Sequence, residues 1–508
     1  MMEAITIRDR ASLSLLLRRL NPSRWVFLWA SKIKTIMKSY KINILLALVT
    51  VSLLSCEDLV TAPQQSLSTE LAFSDGQAVE GSLLGVYSLT QEFDVYGSLP
   101  QVVADFQSDN VDFIGSFPTL QSIKDFSAQA DNSSIRDLWR YHYRAILAAN
   151  AVIKFTPTSP DATLSEEERN QFVAEAKFVR ALLMLQMVNL FAQPIQIGGE
   201  SAEGIPIVLE PYEGEIVNFP RSSVGEVHAQ IKQDLDEAIL HLPIEHNTAA
   251  FTRGRATVGA AKALLSRLHL YRGEWQQASD LAEEVLDSDL YAVAPNYGFW
   301  GENVAEYVFS LQNSEIDNGR TGSGGWGEYY NPASEGARGD APFSSYLIEA
   351  YEEEANDKRF TELTQVGDNG RVYTTKFPDF VTHSDNVPVI RTTEVALNLA
   401  EALAQIEGVN DGSLAIMNQL RTRAGLSSVS ATDFSTPQAF IDFILNERRK
   451  ELAFEGHRRM DLLRYELPLR PETDPRFAAS QPGADKTILP IPQRERDINP
   501  ELSQNPGF

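Results

Sequence analysis

The stretch SEEERNQFVAEAKFVRALLMLQMVNLF, residues 165–191, leaves this chain little choice about the kind of core it builds. Phe172, Ala176, Val179, Leu183, Met187 and Leu190 recur at intervals of three and four, which on a helix makes one apolar stripe. Ser165 with Glu168 has the spacing of a capping box, in which each side chain satisfies the other residue's backbone N–H. The signature recurs in SSVGEVHAQIKQDLDEAILHLP. There Ser223 and Glu226 open a helix, Val227, Ile231, Leu235, Ala238 and Leu242 stripe it, and Pro243, lacking an N–H, closes it.

Two further stretches read as helix pairs. In residues 254–286, Ala260, Ala263, Leu264, Arg267, Leu268 and Tyr271 share one helix. Gly273 turns the chain, and Ala278, Leu281, Ala282 and Val285 stripe the next helix, with small Ala side chains letting the two approach closely. Tyr271, Gly273, Trp275 and Ala278 together resemble a tetratricopeptide unit, and Glu394–Gln405 followed by Ser413–Arg423 repeats the arrangement. Between the pairs, residues 291–390 are rich in Gly, Asn and aromatic residues, with a β-like run at Tyr307–Leu311. Residues 92–130, centred on ADFQSDNVDFIGSF, also read as irregular. The expected fold is mainly α: a single intertwined unit on a tetratricopeptide-like superhelical scaffold, with short β-hairpins and a loop-rich face where binding residues would sit.

The single cysteine, Cys56, ends an apolar run. Lys38 and Lys41 precede Ile42–Ser55, the charged-then-apolar order of a secretory signal, and the run is shorter than the roughly 20 residues a membrane-spanning helix needs. Leu53-Leu54-Ser55-Cys56 resembles a bacterial lipobox, in which cleavage leaves the cysteine as a lipid-modified first residue; Leu54 stands where a small residue is usual. Met37 is then the expected initiator. Residues 1–36 are read as an extension discarded or not native to the protein, 37–55 as signal, 56–69 as tether and 70–508 as the folded domain. Residues 1–55 hold nine Lys and Arg against two acidic residues, so the net charge of −25 becomes −32 once they are set aside. Such a body lacks the basic surface that nucleic-acid binding requires.

Within NERRKELAFEGHRRMDLLRY, Glu447, Glu451 and Glu455 are helical neighbours among several arginines. A glycosidase would need one of them as a general acid with a raised pKa, whereas adjacent guanidinium groups keep carboxylates ionised. An ion-paired structural helix is the better reading. The seven histidines show no metal-ligand spacing, and GSGGWG lacks the lysine and the strand-to-helix setting of a phosphate loop. No catalytic residue, cofactor or metal site is assigned. For binding, aromatic side chains are the candidates, because flat rings meet the C–H faces of sugars. Trp326, Tyr329 and Tyr330 in the Gly-rich loop lead, with Tyr297 and Trp300 next, while Trp139 and Trp275 fall on helical stripes and read as core.

The blocks FQSDN, LWRYHYRAILAAN, AEAKFVRALLMLQMVNLF, GRATVGAAKALLSRLHLYRGEW, EVALNLAEALA, ILNERRKELAFEGHRRMDLLRY and ILPIPQRERDINPELSQNPGF, in that order, resemble the SusD/RagB family of nutrient-binding outer-membrane lipoproteins. The resemblance implies a protein lipid-anchored at Cys56 on the outer face of the membrane, with Glu57 and Asp58 as its surface-export signal. It implies a lid over a SusC-type TonB-dependent transporter, one that captures an oligosaccharide and hands it down. It also implies ligand contacts from an early loop around Asp109 and Asn110 and from a mid-chain loop within 296–330. Peptide uptake is the alternative within the family; a secreted glycan-cleaving enzyme and a helical-repeat scaffold are the alternatives outside it.

Overall fold

The computed structural model describes residues 68–508 apart from residue 216 and residues 321–323. Cys56, Glu57, Asp58, the signal and nearly all of the tether lie outside the described residues. The first half of the folded unit is built from α1 (Gly76–Gln91), α2 (Leu99–Gln107), α3 (Pro118–Lys124), α4 (Ser133–Phe155), α5 (Glu166–Phe191) and α6 (Val224–Ile239). Both capping boxes form, at Ser165/Glu168 and Ser223/Glu226. Helix α5 lies between α4 and α6 and is buried well beyond its stripe, including Glu175 and Arg180. Those charges are matched: Arg180 forks onto Asp234 of α6 at 2.8 and 2.6 Å, and Glu175 receives Arg255 at 2.9 and 2.8 Å, as buried charge requires.

The two helix pairs are present as α7 (Val258–Arg272) with α8 (Trp275–Leu286), and α10 (Thr392–Glu407) with α11 (Asp411–Arg423). Gly273 takes the left-handed turn at φ 74° that ends α7. In each pair a hydroxyl donates directly across the crossing, Ser266 to the Ala278 carbonyl at 2.8 Å and Ser413 to the Ala400 carbonyl at 2.7 Å. The pairs stack through α8 on α10. They are pinned by Arg267, whose guanidinium grips Glu394 with two bonds of 2.6 Å. Burial pushes the Glu394 carboxyl up, but Arg267 outweighs it and holds the pKa at about 2.

Strand β1 (Tyr307–Leu311) pairs antiparallel with β4 (Val387–Arg391), and both are wholly buried. This stalk roots the loop-rich excursion 312–386, which carries the short helix α9 (Trp326–Tyr330) and a small hairpin of β2 (Thr364–Val366) and β3 (Val372–Thr374). Residues 92–130 are more ordered than the sequence suggests. A π-helical turn at Phe93–Gly97 leads into α2 and then α3. Helix α2 is buried on every side, and its polar side chains are bonded inside: Gln101 to the Tyr96 carbonyl, Asp105 to the Tyr330 hydroxyl and Gln107 to Arg459. Polar residues turned inward erase the apolar period, which is why α2 does not announce itself.

The chain closes with α12 (Pro437–Glu451), α13 (Arg458–Leu463) and α14 (Gln493–Ile498). Its end returns to α5, where the Leu489 N–H donates to the Leu190 carbonyl at 2.9 Å and the Asn505 amide to the Phe191 carbonyl at 2.8 Å. The folded unit is therefore intertwined from one end to the other.

Candidate functional site

The early and mid-chain loops meet. The Asp112 N–H donates to the Pro342 carbonyl at 3.1 Å, the Ile114 N–H to the Asp340 carbonyl at 2.8 Å and the Ser344 N–H to the Asn110 carbonyl at 3.0 Å, so segment 110–114 runs antiparallel to 340–344. Gly115 is required at this junction, because a Cβ there would stand 2.6 Å from Asp340 Cγ. A second tie comes from α1, whose Gln91 amide donates to the Gln312 carbonyl at 2.9 Å and to Asn313 at 2.7 Å, fixing the start of the excursion.

Of the aromatic residues singled out from sequence, Trp326, Tyr329, Tyr330 and Trp300 pack in the interior behind this junction, while Tyr297 belongs to a separate group with Phe299, Tyr307 and Leu363. Trp326, Tyr330 and Trp300 pack on Phe377 with ring centroids 4.7, 6.0 and 5.8 Å apart, and the Tyr330 hydroxyl donates to Asp105 at 2.6 Å. Trp326, Tyr329 and Tyr330 sit on α9, which is buried throughout, rather than on an exposed loop. Gly327 permits that depth: a Cβ there would come within 3.1 Å of the Phe377 carbonyl oxygen. Tyr297 is buried against Arg423, 4.8 Å from its ring centroid, and Trp300 is half-buried with Lys376 and Arg391 at 5.1 and 5.2 Å. Asp109 is forked by Arg458 at 2.7 and 2.9 Å, and Asn110 accepts from Arg449 at 2.8 Å. Burial raises the Asp109 carboxyl, yet Arg458 and Arg449 hold it well below the usual carboxylate range. These residues form the support of the face. The rings are in the interior because aromatic side chains gain most where they bury one another.

The ring this support presents to solvent is Phe117, 46% exposed. Beneath it the Arg338 guanidinium lies 4.3 Å from the Phe117 centroid and 4.6 Å from that of Tyr329, which is 3% exposed. Tyr329 in turn stacks on Phe93 at 6.4 Å and 21°. Arg338 is set by Asp340, bonded to its Nε at 2.7 Å. Phe117 owes its outward position to Pro118, the first residue of α3, which leaves Phe117 in extended backbone at the helix start. Ile114 is exposed nearby.

Carboxyl groups around this ladder are pushed toward neutrality. Burial, aided by Asp137 and Glu92, raises Asp94 to about 7, and burial also raises Glu328 and Asp340. An acid near pH 7 both donates and accepts hydrogen bonds. An exposed flat ring beside such acids and guanidinium groups suits a ligand with apolar faces and hydroxyl edges. The sequence reading did not single out Phe93, Phe117 or Arg338. The available signal was local: GSFP, a bulky ring between a glycine and a helix-starting proline, in the loop already marked as irregular.

The carboxylates of the 447–464 block are scaffold. Arg391, fully buried, holds Glu306 at 2.8 Å and Glu455 at 2.7 Å, and Arg423 reaches Glu451 at 2.8 Å. Burial pushes Glu451 up, but Arg423 and Arg391 bring it to about 2, and Glu455 is lowered likewise by Arg391 and Lys376 against its own burial. Acids so committed to guanidinium groups cannot deliver a proton to a leaving group.

Comparison with known proteins places this geometry. Residues 366–508 match a model described as the SusD family, and residues 62–270 match a SusD-like model described as starch-binding associating with outer membrane. SusD-like protein P25 of Formosa agariphila is 25% identical over 89% of this chain and 96% of its own, and SusD-like protein P2 of the same organism is 25% identical over 93% and 100%. A SusD superfamily protein of Bacteroides thetaiotaomicron superposes with a TM-score of 0.76 at 26% identity, covering 85% of this chain and 99% of that one. Two family models that between them take in both the α1–α7 half and the α10–α14 half, with a superposition spanning the scaffold, lead to one conclusion: the chain belongs to the SusD/RagB family.

Proposed function

We propose that this protein captures an oligosaccharide on the loop face around Phe117 and passes it to a SusC-type transporter in the outer membrane. The observation that carries the reading is the Phe93–Tyr329–Arg338–Phe117 ladder, which holds one exposed ring in place, with Asp94, next to Phe93, raised by burial to about 7. A ring fixed before the ligand arrives loses little freedom on binding. Membership of the family supports the nutrient-binding role, and the description of the amino-terminal model supports association with the outer membrane. Lipidation of Cys56, export directed by Glu57 and Asp58, an exterior orientation and the lid-like partnership with the transporter belong to the same proposal. Turnover of the ligand forms no part of it, given the ion-paired state of Glu451 and Glu455.

Calorimetric titration of the purified protein with panels of oligosaccharides and peptides tests the proposal. Saturable heat with one glycan class, and an unchanged glycan recovered afterwards, is the expected result. Heat with peptides alone would move the protein to peptide capture, and recovery of shortened glycan would overturn the binding role.

A further inference from the structure

We infer that the protein carries a second oligosaccharide site, in the groove between α4, the segments 206–215 and 217–219, and α14. The inference rests on the proposed glycan-binding function but uses none of the loop-face residues. The groove has a volume of about 660 Å³, within the range of formed small-ligand sites.

Its floor is aromatic. Trp139 and Tyr143 of α4 lie with ring centroids 5.0 Å apart, and Phe219 adds a third ring. Trp139 is 3% exposed, yet its indole N–H finds no acceptor among the described residues. It is not one of the nitrogens sealed from solvent, and a donor that no protein acceptor takes at the floor of a groove is a place for a ligand oxygen.

One wall is held in advance. The Tyr143 hydroxyl donates to the Pro206 carbonyl at 2.8 Å, and the Asn150 amide donates to the Val208 and Glu210 carbonyls at 2.9 and 3.2 Å, so residues 206–210 are fixed to α4 before anything binds. At the mouth, Tyr212 is 65% exposed, and Tyr141 lies beneath the Arg140 guanidinium at 4.6 Å.

The charges along the groove are mixed, and two of them, Arg140 and Glu495, are weakly engaged. Arg140 reaches Asp137 only at 3.9 Å, and the Glu495 carboxylate has neither hydrogen bond nor ion pair among the described residues. Opposite charges on a largely aromatic surface fit a neutral polyhydroxyl chain, whose ring faces meet the tyrosines while its hydroxyls reach Trp139, Arg140 and Glu495. An acyl chain would leave those polar groups without partners, and a polyanion would meet Glu210, Glu215 and Glu495.

The test is the stoichiometry of calorimetric titration with a glycan that the purified wild-type protein binds. Two ligands per chain are expected. Tyr212→Ala should reduce the count to one, Tyr212→Phe should keep both, and Phe117→Ala should remove the other event. Because Tyr212 is exposed, its loss leaves the fold intact. A single event abolished by Phe117→Ala and indifferent to Tyr212→Ala would overturn the groove and leave the loop-face reading standing. A single event with the reverse dependence would support the groove and overturn the loop face. No saturable heat with any glycan would overturn both.

Discussion

Glu451 and Asp94 are both acids shielded from water, yet one is held at about 2 and the other at about 7. In the scaffold block, Arg423, Arg391 and their neighbours surround the carboxylates, so burial is overcome and the charges are locked in place. At Asp94, on the loop face, burial dominates and the like charges of Asp137 and Glu92 add to it, so the carboxyl is raised. The difference separates groups that hold the fold together from groups left open to a ligand. Perturbed acids of the second kind gather where function sits.

The largest effects should come from breaking the scaffold side of this contrast. Arg391→Ala leaves Glu306 and Glu455 buried without their main partner, and removing one member of such a buried pair costs about 3–5 kcal/mol. Denaturant unfolding should show a loss of that size. Tyr329→Ala removes a ring packed against Phe93 and Phe106 and should lower stability by about 3 kcal/mol, as core aromatic truncations do. Phe117→Ala, in contrast, should change stability by no more than about 0.5 kcal/mol while removing ligand capture at the loop face. If Phe117→Ala unfolded the protein as readily as Tyr329→Ala, the division between support and platform would fail.

The pH dependence of stability sharpens the same comparison. Glu394, Glu451 and Asp461 have folded pKa values of about 2, below their unfolded values near 4, so their contribution is complete above pH 4 and is lost as pH falls toward 2. Asp94 and Asp105 run the other way. Their folded values of about 7 exceed the unfolded 3.8, so the folded state keeps protons the unfolded state releases, and stability falls as pH rises from about 4 to 7. Unfolding free energy measured across pH 2–8 should therefore decline on both limbs. Asp94→Asn should remove that residue's share of the upper limb, leave the share of Asp105, and leave the lower limb unchanged. A smaller and purely local effect, about 1 kcal/mol, is expected for Ser223→Ala, which removes the hydroxyl that accepts from the Glu226 N–H.

Much of the scaffold was legible because its signals are local. Capping boxes at Ser165 and Ser223, the glycine turn at Gly273 and the run Tyr307–Leu311 each depend on residues near one another in sequence, and each is found where expected. Helix α2 was not, since Gln101, Asp105 and Gln107 are satisfied by partners elsewhere in the fold. The ligand face was legible as a region and not as residues. Composition identifies rings in a Gly-rich stretch, but whether Trp326 or Phe117 reaches solvent is decided by Phe377 and Arg338, far away in the chain. The groove was hidden for a related reason: Trp139 sits on a helical stripe as a core residue should, and only the return of residues 206–215 and of α14 makes it the floor of a groove.

Hydrogen exchange of the protein with and without a saturating glycan shows directly whether the Phe117 face takes the ligand. Protection should be gained in 113–118 and 336–340, the segments that carry Phe117 and Arg338, with the 447–464 block unchanged. Saturation without any change in 113–118 would contradict it.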